Sequence, residues 1–306
     1  MNSERTRIIL GFVIISLIWG STWMVIKVGL QSISPIYGVL LRFMLAAGIL
    51  YGLVRLKRID LPWDKTAVIL YLNLGLLSFS IPFALVYWGE QYIGSGLASV
   101  LFGAYPFVVA LGSHYFLPAE RLNAGKIGGV MLGFIGVVII FWSDLADKDT
   151  SLWGMTAILV STVMQGTSLV IVKRINHPVS PISLTLGGLL FGILLLVPLA
   201  LISEDATKIR FDPVGIGSIA FLGILGTIVA LVVYYWLMKK VEIVYLSLVS
   251  FVTPVVAVMF GTMILGEELS SRVFVGAAFV LTGILAANGE IILRAMRRNT
   301  SLDGDQ

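Results

Sequence analysis

Apolar runs of about 19–25 residues recur along the chain between short polar stretches, near 8–28, 35–55, 67–88, 94–117, 125–143, 152–172, 181–202, 213–237, 243–265 and 273–293. A helix of that length crosses a hydrocarbon core of roughly 30 Å. In lipid the backbone must satisfy its own hydrogen bonds, so each run predicts a helix and not a strand. The connections are short, which makes neighbouring helices antiparallel. The pattern predicts an all-α polytopic membrane protein with ten transmembrane helices.

The pattern also repeats. The stretch WGSTWMVIKVGLQSISP begins at Trp19, and QGTSLVIVKRINHPVSP begins at Gln165. Gly20, Lys27, Ser34 and Pro35 recur 146 positions on as Gly166, Lys173, Ser180 and Pro181. Gly75, Tyr87, Trp88, Pro106, Glu120 and Gly128 recur 148 positions on as Gly223, Tyr235, Trp236, Pro254, Glu268 and Gly276. Two extra residues, placed in the loop around 203–212, account for the change of offset. The chain thus divides into two five-helix units, 1–150 and 151–306. Five is odd, so the second unit enters from the opposite side, giving a 5+5 inverted-topology repeat. Inverted repeats are a recurrent design in secondary transporters, where two similar halves can exchange conformations.

Composition narrows the class. Of 306 residues, 58% are hydrophobic and only 12% charged, with a mean hydropathy of +0.98; a soluble protein carries about twice that charge. The pI of about 9.3 does not signal nucleic acid, because the basic residues sit in short loops. Placing both termini in the cytoplasm puts fifteen of the 21 Lys and Arg residues on the cytoplasmic side, as the positive-inside rule requires. MNSERTR precedes a run long enough to span, so no cleavable signal peptide is expected. With no cysteine there is no disulfide, thiolate metal site or Cys nucleophile. No metal or cofactor is expected, and no Walker A signature points to ATP. No ring of charges marks a channel, and no nucleophile–base pair at shared depth marks an intramembrane enzyme. A non-transporting scaffold or receptor is the remaining alternative.

The motifs WGSTW in the first span, LRFMLA in the second, YP in the fourth followed by AERL, and TP and GEELS in the second half resemble those of EamA-type members of the drug/metabolite transporter superfamily. The resemblance covers roughly residues 8–293. It implies a 5+5 inverted-repeat bundle with a central cavity and alternating access, and most often export of amino acids, other small metabolites or drugs. It places the protein in a bacterial or archaeal plasma membrane. In the second half, Gln165 replaces the Trp of WG and Gly188 stands opposite Arg42.

Depth within each span selects candidate substrate-binding residues near the midplane. Trp19, Thr22 and Trp23 lie on the first span, Phe79, Ser80 and Phe83 on the third, and Phe102 and Tyr105 on the fourth. Gln165, Thr227 and Thr253 lie on the sixth, eighth and ninth. Trp19 and Tyr105 are too deep for interfacial anchors, and Gln165, polar in the apolar centre, should face the bundle. Pro106 and Pro254, central and matched, suggest hinged helices beside a cavity, since a mid-helix Pro removes a hydrogen bond and kinks the helix. Arg42, about 10 Å below the outer surface at 1.5 Å per residue, needs a partner or water: Glu90 is within reach as an outer-side ion pair, a carboxylate substrate is a further candidate, and snorkelling to the headgroups is the structural alternative. Lys27 and Lys173 end matched helices, and Glu120 and Glu267/Glu268 begin the fifth and tenth, where helix-dipole capping is the favoured reading. Gly125, Gly129 and Gly133 make a close-packing face, within the bundle or in a homodimer.

All 17 acidic residues lie in loops or near span ends. The expected cargo is therefore a neutral, zwitterionic or amphipathic small molecule, moved through an aromatic cavity by facilitated diffusion or exchange. The alternative is a proton-coupled antiporter using Glu90, His114 or Glu290 at a gate. Lipid and the small-molecule substrate are the expected partners, with no nucleic acid.

Overall fold

The computed structural model describes residues 3–120, 122–140, 142, 151–256 and 271–287. Glu267, Glu268 and Glu290, and parts of the ninth and tenth apolar runs, lie outside the described residues. All regular structure among those described is helical. Seven helices are long and apolar enough to cross a membrane: Glu4–Gly29, Pro35–Lys57, Lys65–Gly89, Ser95–Phe116, Leu152–Ile175, Pro181–Ser203 and Pro213–Met238. Three shorter apolar helices are Ala124–Ile139, Ile243–Val256 and Phe274–Ala286. Large apolar side chains such as Leu10, Ile49, Leu194 and Leu285 are exposed on the outside, as a lipid-facing surface requires.

In chain order the helices are α1 (Ser3–Gly29), α2 (Pro35–Lys57), α3 (Lys65–Leu74), α4 (Ile81–Gly89), α5 (Ser95–Phe102), α6 (Tyr105–Phe116) and α7 (Ala124–Ile140). They continue as α8 (Leu152–Ile175), α9 (Pro181–Ser203), α10 (Pro213–Gly223), α11 (Ala230–Met238), α12 (Ile243–Ser247) and α13 (Ser271–Ala287). Wide π-helical turns, Gly75–Ser80 and Ile224–Val229, join α3 to α4 and α10 to α11. Proline, whose missing N–H is harmless in a first turn, opens α2, α9 and α10.

The repeated residues make matched contacts. A Cβ on Gly20 would fall 2.5 Å from Val256, and one on Gly166 would fall 2.7 Å from Val108. Gly75 meets Phe191 at 2.7 Å, and Gly223 meets Leu45 at 3.0 Å. Lys27 Nζ donates to the carbonyls of Glu90 and Ile93, and Lys173 Nζ to those of Met238 and Val241. The partner numbers differ by the same 146 or 148 as the sequence motifs. Each glycine admits a neighbouring helix from the other half, and each lysine clasps the carbonyl-rich end of a neighbouring helix, where a cation is favoured.

The two ends of the bundle differ. Three ion pairs among the described residues gather at one end, Glu4–Lys240 at 2.8 Å, Lys173–Glu120 at 3.2 Å and Lys126–Glu242, and there His177 Nε2 also lies 3.3 Å from Asp64 Oδ1. Glu120 does not cap the helix that follows it. Its carboxylate accepts from the Ile243 N–H at 2.8 Å, so it caps α12 and pairs with Lys173, because the turn Pro118–Glu120 directs the side chain across the bundle.

At the other end Ser34 makes no side-chain cap for α2, whereas its counterpart Ser180 caps α9 by accepting from Ser183 N–H at 3.0 Å. Glu204, following α9, supplies what Ser34 does not. Its oxygens accept from Ile36 N–H at 2.9 Å, Tyr37 N–H at 3.0 Å and Ser34 Oγ at 2.7 Å. Glu204→Ala should lower stability by about 1–2 kcal/mol, read as a fall in melting temperature of the purified protein in detergent.

The glycine face of α7 is used inside the chain. Gly283 of α13 approaches the backbone of Gly129 and Gly133 at 2.6–2.7 Å, and Gly125 approaches Ala286 O at 3.1 Å, measured from the added Cβ.

Candidate functional site

Both π turns lie deep in the bundle and free backbone carbonyls that an α-helix would engage. Thr227 Oγ1 donates to Leu222 O at 2.8 Å, and Ser80 Oγ to Gly75 O at 2.7 Å, both across five residues. The second-half turn also offers Gly226 O, which accepts from Trp19 Nε1 at 3.3 Å and Arg42 Nη2 at 3.4 Å. In the first half, Ser78 Oγ and Asn73 Nδ2 each lie 2.8 Å from Ser168 Oγ of α8. Each wide turn therefore holds a helix of the opposite half.

Between the turns lies a cavity lined from both halves. The space open to the centres of water-sized molecules is about 100 Å³, enough for several waters at roughly 10–15 Å³ each. Much of its wall is one aromatic arc. Trp19 packs on Tyr234 with centroids 5.0 Å apart, and the Tyr234 and Tyr105 hydroxyls hydrogen-bond at 2.8 Å. Tyr105 stacks on Phe102 at 5.3 Å, and Phe102 meets Trp23 edge-on at 5.6 Å. Trp19 and Trp23 are one helical turn apart, so α1 closes the arc.

Arg42 is 2% exposed and lines the same cavity. Its Nε donates to Thr227 Oγ1 at 2.8 Å, and Nη1 lies 3.4 Å from Tyr87 Oη. The guanidinium sits 4.7 Å from the Phe83 ring centroid, a cation–π geometry. Glu90, one residue beyond α4, is fully buried, and neither carboxylate oxygen has a hydrogen-bond partner. Among the described residues His, Asp and Glu form no cluster fit to hold a metal ion.

The sequence model of the EamA-like transporter family matches the chain twice, over residues 6–142 and 152–289. This chain belongs to the EamA-like transporter family. Like the family model, its relatives span almost the whole length. It is 28% identical to the uncharacterized transporter YoaV of Bacillus subtilis, over 91% of this chain and 95% of that one. It is 31% identical to an uncharacterized transporter of Archaeoglobus fulgidus (87% and 93%) and 27% identical to the uncharacterized inner membrane transporter YedA of Escherichia coli (83% and 81%). A solved crystal structure shares the fold, with a TM-score of 0.75 at 17% identity over 92% of this chain and 97% of that one. The protein is thus an integral membrane protein of a transporter family.

In this EamA-like transporter the cavity brings together Trp19, Thr22, Trp23, Phe79, Phe83, Phe102, Tyr105, Gln165 and Thr253. Ser80 and Thr227 are not on its wall, because their hydroxyls turn back to the carbonyls freed by the π turns. Arg42 and Glu90 do not form an ion pair, since the Arg42 side chain is taken by Thr227, Gly226 O and Tyr87. Pro106 stands in the first turn of α6, two residues after a break at Gly103–Ala104, so the interruption lies just ahead of the proline. Pro254 sits within the helical stretch 249–256, which follows a break at Leu248. Tyr234, Tyr235, Ser247 and Ser250 also line the cavity, and none of them is among the binding residues selected by depth. The adjacent tyrosines of VVYYW, the second of which repeats Tyr87, are the available signal for the first two.

Proposed function

We propose that this protein is a secondary transporter that exports a small neutral, zwitterionic or amphipathic metabolite, amino-acid-like or drug-like, by alternating access through the aromatic cavity. The observation that carries the proposal is a cavity between two sets of matched contacts. Ten spans in a 5+5 inverted repeat account for that match. Lys27 and Lys173 clasp corresponding carbonyls in the two halves, and the two π turns hold helices of the opposite half. An inverted pair of units offers two facings of similar energy that expose one site to either side in turn. The distribution of basic residues supports cytoplasmic termini, and relatives such as YedA support a bacterial or archaeal plasma membrane. The aromatic wall supports a cargo with an apolar body.

The test compares metabolites in the medium of cells making the protein with those of cells lacking it, followed by flux of each enriched solute in liposomes holding purified protein. Accumulation outside and protein-dependent flux are the expected results. Matching media together with no flux in liposomes, with folded and abundant protein, would remove the export proposal.

A second version, proton-coupled exchange, is favoured by Glu90. Burial pushes its carboxyl well above the usual range, and the nearby positive charge of Lys27 offsets part of this. Lys27 from α1, Tyr87 on its own helix and Arg42 behind Tyr87 are the groups around it. A raised carboxyl pKa means the folded protein holds a proton that the unfolded chain would have released, so loss of that proton as pH rises destabilises this arrangement. Under this version an imposed pH gradient accelerates wild-type flux several-fold, and Glu90→Gln, which stays neutral, removes the acceleration. Wild-type flux indifferent to the gradient would sink it. His114 is exposed at the end of α6, away from the cavity.

A further inference from the structure

We propose that Arg42 is the anchor for a carboxylate, so that the cargo is a small organic acid or zwitterion whose apolar body lies against the aromatic arc. This rests on the transporter proposal above and names the substrate class for that cavity.

A guanidinium stays charged at any physiological pH and carries five N–H donors. Arg42 places this permanent charge in the cavity wall at 2% exposure. Its described acceptors are all neutral: a threonine hydroxyl, a tyrosine hydroxyl and a backbone carbonyl. Only the Nε bond is short, at 2.8 Å, while both Nη contacts are 3.4 Å. Among the described residues, two of the five N–H groups have no protein acceptor, both on the Nη atoms. No described Asp or Glu forms an ion pair with Arg42. A buried charge without a counter-charge is costly, and the cost falls when an anion arrives.

The surroundings aim the group. Thr227 donates its own proton to Leu222 O, so it can only accept from Nε, which fixes the guanidinium by that edge. Phe83 covers one face at 4.7 Å. The Nη edge remains, the one that meets a carboxylate through two parallel hydrogen bonds. Trp19, at the start of the aromatic arc, shares the Gly226 carbonyl with Arg42. The charge and the apolar wall are therefore neighbours, spaced for one small molecule with an acidic head. The second half has no equivalent, since Gly188 occupies the matching position and Phe79 fills the space beside it at 2.6 Å from an added Cβ. The described cavity wall thus carries one anion-binding subsite, which suits one carboxylate and disfavours cationic amphiphiles.

The test is calorimetric titration of the purified full chain in lipid nanodiscs with three matched probes: 3-phenylpropionate, 3-phenylpropionamide and 3-phenylpropylamine. The expected result is binding of the carboxylate at least tenfold tighter than the amide, with the amine weakest. Arg42→Gln should lower the carboxylate's affinity far more than the amide's, removing the tenfold preference between them. Should Arg42→Gln not fold, the comparison of carboxylate with amide on the wild type still decides. Equal wild-type affinities for carboxylate and amide would overturn the anchor while leaving the cavity intact as a binding site. Binding of none of the three would also overturn it; protein-dependent flux of another solute in liposomes would then show that the transporter proposal survives alone.

Discussion

Protein carrying Gly187→Val is expected to be lost as a folded species, the largest effect of any single change considered. Helix α9 crosses α3 so closely that a Cβ on Gly187 would lie 2.3–2.5 Å from three ring carbons of Tyr71. Tyr71 is fully buried and packs edge-on against Trp63 at 5.8 Å, so the ring cannot simply swing clear. One residue on, Gly188 meets Phe79 at 2.6 Å and Leu74 at 2.7 Å. Forcing extra carbons into such a contact costs about 3 kcal/mol or more, a large part of a typical stability of 5–15 kcal/mol. Size-exclusion profiles and melting curves in detergent provide the measurement. The control is Gly48→Ala, on the exposed face of α2 with nothing within 4 Å of the new Cβ; there alanine should raise stability by about 0.5–1 kcal/mol. Equal behaviour of the two variants would show that the α3–α9 contact is not as close as described.

Trp19→Ala is expected to reduce flux at least tenfold while the protein stays folded. Trp19 is half-buried, packs on Tyr234 and lines the cavity. Its removal widens the cavity, breaks the aromatic arc and frees Gly226 O from one of its two donors. A tenfold change corresponds to about 1.4 kcal/mol, a modest demand on a side chain that buries 150–250 Å² when fully enclosed. Trp19→Phe keeps an aromatic wall and loses the N–H, and should fall between wild type and alanine. The measurement is initial flux in liposomes at matched protein content, with melting curves to show that the fold persists. Unchanged flux in Trp19→Ala would separate the aromatic arc from transport.

Much of the bundle was legible in the sequence because lipid imposes one simple rule, an apolar helix of fixed length. The positions of the seven long apolar helices follow from it, and the repeated glycines and lysines make contacts that occur twice. Depth along a span points to Trp19, Tyr105 and Gln165, and all three line the cavity between the two halves. The misplacements have a common cause. Ser80 and Thr227 are selected by depth alone, and both lie at a π turn, where the carbonyl five residues back accepts from the hydroxyl. Nothing in GLLSFS or ILGTIV marks a wide turn in advance. Arg42 was paired with Glu90 because charge attracts charge and both lie toward one end. The structure instead gives Arg42 a hydroxyl from the other half, a partner 185 residues away that no local pattern reveals. Glu204 was missed for the same reason: its role as the cap of α2 depends on how two helix ends meet.

A π turn holds one residue more than the α-helical turn it replaces. Removing a residue from Ile224–Val229 would return that stretch to ordinary helical pitch and carry everything beyond it through about 100° and 1.5 Å. Tyr234 and Tyr235 would leave the cavity, and the seam between α11 and its neighbours would slip out of step with Lys173, which grips its last carbonyls. Chain length at this point is therefore a phase setting. A single-residue deletion there, conservative by any measure of side-chain chemistry, would be more damaging than most substitutions in the cavity itself.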